Sequence, residues 1–159
     1  MVTNLSKFEA VARRAYKFSD SAPSHGATLH PFDNRNIYSN FPPVIKELFD
    51  DGHFAQATFE AYKFLDKEVQ RHSKSSESGF KLMMQVFAGT PPGISLNSLS
   101  STTDQDEQKG VQFLCAGCML AIRNPRGHEY AVKDDPDQCL DHLTLASMIL
   151  RRLAEAGYK

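Results

Sequence analysis

An all-α fold is the expectation for this chain, and three observations carry it. Apolar residues recur at helical spacing in several segments, no run shows the two-residue alternation of a half-buried strand, and Pro- or Gly-bearing stretches separate the helical segments. The simplest arrangement is a bundle of four to five helices with short connections. A length of 159 residues fits one principal domain with enough chain to bury a core. We read residues 1–31 as an N-terminal helix and linker extension, and 32–159 as the helical domain.

The elements follow in order. Asn4 to Phe18 is amphipathic enough for a helix, and "SDSAPSHGATLHPFDNRN" reads as a linker. "NFPPVIKELFDDGH" is expected to be a helix with prolines in its first turn and Gly52 beyond its end. In the next segment Phe54, Thr58, Ala61, Leu65 and Val69 alternate spacings of four and three, which puts them on one helical face. "ESGFKLMMQVFAG" gives a shorter helix stopped at Gly89. After the polar stretch "TPPGISLNSLSSTTD", Asp104 is expected to cap a helix, with Glu107 completing a capping box. That helix is apolar nearly all round from Val111 onward, a pattern that predicts burial on every side. In so small a chain, a second subunit is one way to cover the extra face, and Ala116 and Gly117 allow close backbone approach. The last helix, about Asp137 to Ala156, carries Cys139, Leu143, Ala146, Leu150 and Leu153 on one face.

Composition excludes some classes of function. A net charge of −1 argues against a broad basic face that coats nucleic acid, and leaves room for a small basic cleft. Three cysteines cannot all pair within the chain, so reduced thiols and a cytoplasmic location are expected. No apolar run approaches the length of a membrane span, and the N-terminus lacks a signal-peptide pattern. Cys115, Cys118, Cys139 and His142 have the spacing of a zinc ribbon, C-x2-C-x20-C-x2-H. Both pairs fall on helical patterns rather than in turns, so they read as small buried hydrophobes, with no metal and no other cofactor expected. His25, His30 and Asp33 read as solvated loop residues. His53 and His72 lie near opposite ends of a helix, His72 where a helix C-terminus favours its charged form.

"AIRNPRGHEYA" is the stretch that points toward chemistry. A residue before proline avoids the α region, so Pro125 is expected to end the apolar helix at Arg123 or Asn124, with Gly127 allowing a tight turn. His128, five residues after Arg123, then converges with it across the break. An arginine that merely serves the last helical carbonyls fits the same residues. Arg126 either adds positive charge to the same cleft, there to meet a phosphate, or faces solvent. Glu60 either anchors Arg123 or is a solvated helix-face glutamate. Glu129 is a partner for an arginine or for a helix N-terminus.

The surrounding blocks, "GHFAQATFEAYKFLDKEV", "GFKLMMQVF", "EQKGVQFLCAGCMLAIRNPRGHE" and "LDHLTLASMILRRLAEA", resemble the HEPN superfamily of ribonucleases, and within it the Ymh-type set of small bacterial and phage-associated domains. The resemblance covers about residues 40–156, and its signature is the R-N-x-x-x-H run of Arg123, Asn124 and His128. It implies a HEPN-like helical bundle acting as a homodimer, and a metal-independent endoribonuclease with a composite site at the dimer interface. Its role would be that of a toxin or antiphage-defence effector, restrained by an antitoxin or regulatory protein. Arg123 and His128 would be catalytic, with Asn124 and Glu60 in support. The alternatives are a non-catalytic HEPN-like module that binds RNA or a partner, and a helical regulatory adaptor.

Overall fold

The computed structural model describes residues 29–129 and 132–158. Helices dominate these residues, and no strand is present among them. The fold is all-α as expected. The predicted helix at Asn4 to Phe18 and His25 lie outside the described residues.

The first helix among the described residues is a single turn, α1 (Pro31–Asn34). It lies in what the sequence suggested was linker. His30 is not a solvated loop residue: it accepts from the Phe32 amide, sits 2.7 Å from Asp50, and packs edge-on against Phe32 and Phe49. Asp33 is exposed in the helix. Next come α2 (Pro43–Asp50), with proline at its start and Gly52 at φ +78 beyond its end, and the long α3 (Phe54–Ser73). Thr58, Ala61, Leu65 and Val69 are buried along α3, as their spacing predicts. His72, near its end, is held below its ordinary pKa, first by burial and then by the adjacent Arg71. The helix terminus was expected to favour its charged form, but loss of solvent outweighs that effect.

Helix α4 (Gly79–Val86) ends shortly before Gly89, and a loop over 87–101 leads to α5 (Thr102–Cys118). The cap of α5 is Ser101, not Asp104. Ser101 Oγ accepts from the Asp104 amide at 3.1 Å, and the Asp104 carboxylate returns to the Ser100 amide. Asp104 is thus the third helical residue. Glu107 is drawn away to Asn97 and Arg152. The chain then runs through a π-helical turn (Met119–Arg123), α6 (Asn124–His128) and α7 (Pro136–Glu155), whose Asp135 cap accepts from the Gln138 amide.

Helix α3 is the hub: it packs against α2, α4, α6, α7 and the π-turn. One core cluster joins its second half (Tyr62, Leu65, Val69) to α4, α5 and the second half of α7. The other joins Ala57 and Ala61 to α2 and to the start of α7, through Cys139, Leu140 and Leu143. Helix α5 is not buried on every side. Cys115, Ala116, Cys118 and Met119 face the core, whereas Phe113 and Leu120 are 54% and 50% exposed and Gly117 and Ala121 are open beside them. Within one chain α3, α4 and α7 cover only one face of the helix; the other runs from Phe113 on α5 to Leu120 in the π-turn and is the extra face for which the sequence suggested a second subunit as one cover. No helix among the described residues is long and apolar enough to cross a membrane.

Candidate functional site

The helix does not break at Pro125. Asn124 sits at φ −64, ψ −45, in the α region that a residue before proline usually avoids. Proline has no N–H to give and its ring crowds the carbonyl four residues back. The chain accommodates it by widening the preceding turn: the Asn124 amide donates to Met119 O, five residues back. Further on, the Glu129 amide closes onto Pro125 O at 3.0 Å, so the helix ends at His128. Arg123 and His128 therefore do not fold together across a turn. On a helix they lie about 140° apart around the axis and about 7.5 Å apart along it. Within one chain they present a broad end face.

Arg123 is half-buried at the junction of the π-turn and α6. Its Nη1 donates to Asn124 Oδ1 at 3.1 Å, and its guanidinium lies over the Phe59 ring, 5.4 Å from the centroid. Its Nε is buried and has no hydrogen-bond partner. His128 is exposed as the last residue of α6. Phe59 is the residue missed in the sequence. It carries Arg123 on one side, and its edge approaches Gly127 so closely that a Cβ there would lie 2.7 Å from Phe59 Cε2. Gly127 is thus explained by close packing and not by a turn. The α3 face made of Phe54, Thr58 and Ala61 gave no signal for an aromatic one step beside it.

Glu60 does not anchor Arg123. It is paired with Lys63, whose Nζ lies 3.1 Å from both carboxylate oxygens. The next residue along α3 in the other direction, Phe59, holds the arginine instead. Arg126 neither faces solvent nor lies free to meet a phosphate. Its side chain is 6% exposed and forms a fork on Asp134, which is 1% exposed, through Nε at 2.7 Å and Nη2 at 2.5 Å. Its Nη1 donates to Ile122 O at 2.8 Å, and Nη2 lies 3.3 Å from His142 Nδ1. Thr58 Oγ1 donates at 3.1 Å to Asp134 Oδ2, the oxygen that also accepts from Arg126 Nε. Glu129 caps the C-terminus of α6, not the start of a helix.

This network explains His142. Its Nδ1 faces both members of the pair, 3.3 Å from Arg126 Nη2 and 3.7 Å from Asp134 Oδ2. Burial, followed by the Arg126 charge, holds its pKa below the ordinary histidine value. The residues of the zinc-like spacing are spread between the two cores. Cys115 and Cys118 belong to the first, and Cys139 lies in the second against Thr58. Burial pushes the Cys115 thiol up to about 12 and the Cys139 thiol up to about 11, the opposite of what a thiolate ligand needs. Among the described residues no cluster of three or more His, Cys, Asp or Glu side chains is placed to hold a metal.

A family model described as "Protein of unknown function (Hypoth_ymh)" matches residues 42–153. The chain belongs to the Hypoth_ymh family. No curated protein matches the chain, and no solved structure does. The matched span of this Hypoth_ymh chain begins just before α2 and ends within the last turn of α7. It contains Phe59, Arg123, Asn124, Arg126, His128 and Asp134, so the whole site lies inside the family unit, whereas α1 lies outside it.

Proposed function

We propose that the chain is a metal-independent endoribonuclease of the HEPN type, working as a homodimer with its site at the subunit interface, in the role of a toxin or antiphage-defence effector. The single observation that carries this reading is Arg123: a guanidinium stacked on Phe59, steadied by Asn124, with a buried Nε that nothing in the chain satisfies. An unpaired buried donor costs about 1–3 kcal/mol. A phosphate oxygen reaching the solvent-facing edge of the same guanidinium would gain a charge-assisted bond. In this scheme the RNA 2′-oxygen attacks the adjacent phosphorus and the bond to the 5′-oxygen breaks, leaving a 2′,3′-cyclic phosphate. His128 accepts the 2′-hydroxyl proton or protonates the departing 5′-oxygen. Arg123 stabilises the charge that develops on the phosphate. The wide separation of the two residues on one chain fits a site completed by a partner's copy.

The test is purified protein with total cellular RNA, scored for new ends bearing a 2′,3′-cyclic phosphate. Wild type should cleave, and Arg123→Ala and His128→Ala should each lose at least about 100-fold in rate. Wild type cleaving no better than His128→Ala rejects the enzyme. A strict monomer by light scattering rejects the composite site. The bare apolar face at Phe113 and Leu120 favours a second reading, a non-catalytic module that docks a protein partner. That reading expects a stable complex and no cleavage.

A further inference from the structure

We infer that Arg126 and Asp134 form a clamp that holds the π-turn and so aims Arg123; they are positioning residues for the reaction proposed above, on which this inference rests, and not ligands of RNA. The geometry is specific. Asp134 is the last but one residue before α7, and its carboxylate is fixed by Thr58 of α3. From that anchor it holds Arg126 by a two-point fork. Arg126 in turn reaches back one turn to the carbonyl of Ile122, the residue before Arg123 and inside the widened turn. A planar fork bonded at three of its nitrogens leaves the Arg126 side chain no freedom to swing out to a phosphate. The clamp therefore joins three elements at the site: the α3 segment that supplies Phe59, the turn that supplies Arg123, and the chain that leads on from His128. Removing it frees the Ile122 carbonyl and slackens the turn, so that Arg123 is no longer held over the Phe59 ring.

The experiment compares wild type with Arg126→Met/Asp134→Leu and with Thr58→Val. The double change leaves no buried charge unpaired and is expected to fold; Thr58→Val removes only one bond to Asp134. The first readout is the Nε–H signal of Arg123 in a nitrogen–proton NMR spectrum, assigned by its loss in Arg123→Lys. In wild type the buried Nε–H is protected from exchange. In the double variant it should shift and exchange rapidly, and in Thr58→Val it should move in the same direction by less. The second readout is RNA cleavage: kcat should fall on the order of 100-fold in the double variant, while affinity for an uncleavable 2′-deoxy oligonucleotide falls no further than in Arg123→Ala. A folded double variant with the Arg123 signal in place overturns the clamp. If the double variant does not fold, an unmoved signal in Thr58→Val overturns it. Loss of affinity with kcat retained also overturns it and makes Arg126 an RNA ligand. If wild type cuts no RNA, the proposed function falls and the NMR readout alone decides the clamp.

Discussion

Two buried polar side chains each tie a loop to the same helical arm, and they do so by different chemistry. Gln108, on α5, holds the loop over 87–101: its Oε1 accepts from the Leu96 amide and its Nε2 donates to Phe87 O and Ile94 O, all within 3.0 Å. Arg126, on α6, holds the segment before α7 through Asp134. The amide is neutral, needs no counter-charge, and saturates three backbone groups. The ion pair carries two buried charges, depends on the presence of both partners, and has a titratable imidazole against it. The neutral tether sits away from Arg123, and the charged one sits beside it. A fold can pin a loop with an amide at little electrostatic cost. It uses a charged pair where direction matters, because a guanidinium fork fixes orientation as well as distance.

The sharpest way to break this contrast is Asp134→Leu alone. It leaves Arg126 buried and uncompensated, and should lower stability by about 3–5 kcal/mol, whereas adding Arg126→Met should restore most of that loss. Urea unfolding of both variants measures it, and an equally unstable double variant would contradict the electrostatic account. Gln108→Leu comes next. It strands the Leu96 amide and the carbonyls of Phe87 and Ile94; Phe87 and residue 108 line a solvent-accessible cavity of about 400 Å³, through which water recovers part of the loss. The expected cost is about 2 kcal/mol, independent of pH between 5 and 8, and the same unfolding series checks both points. The smallest effect is the pH dependence of the charged tether. His142 has a folded pKa below its unfolded value, so the unfolded chain binds more protons around and below pH 6.5. The stabilisation is present above about pH 6.5 and is lost as pH falls through the depressed folded value. His72 has the same sign and adds to the same slope. His142→Gln should flatten the acid slope of stability relative to wild type, and the double change with His72→Gln should flatten it further. Equal slopes in wild type and His142→Gln would remove His142 from the argument.

Much of the helical layout was legible because it rests on periodicity. The buried positions of α3 and α7 follow their spacing, and proline and glycine mark the ends of α2. The site was legible only in part. Arg123, Asn124 and His128 stood out as residue types, but their mutual placement did not, because the local rule for a residue before proline was overridden. The tertiary contacts of Phe59 and Arg126 stabilise a continuous helix more than Pro125 disfavours it. Glu60 and Arg126 were plausible from charge alone, yet a pairing choice depends on what lies across the fold, and Lys63 and Asp134 took them. The cap of α5 slid by one turn for a similar reason. Several Ser and Asp residues in "SLSSTTD" can cap, and the hydrogen bonds of Ser98, Ser100 and Ser101 to Asp104 select among them.

By itself, then, the sequence determined an all-α chain, the approximate places of its main helices, and a short run that brings Arg123, Asn124 and His128 close together in the chain. These properties are local: spacing, turn residues and side-chain type act within a few residues of one another. The tertiary structure alone decided the π-turn, the Phe59 platform under Arg123, the Arg126–Asp134 clamp and the bare face of α5. Each of these is a contact, or a missing contact, between segments far apart in the chain, and no local pattern specifies which surface will be covered.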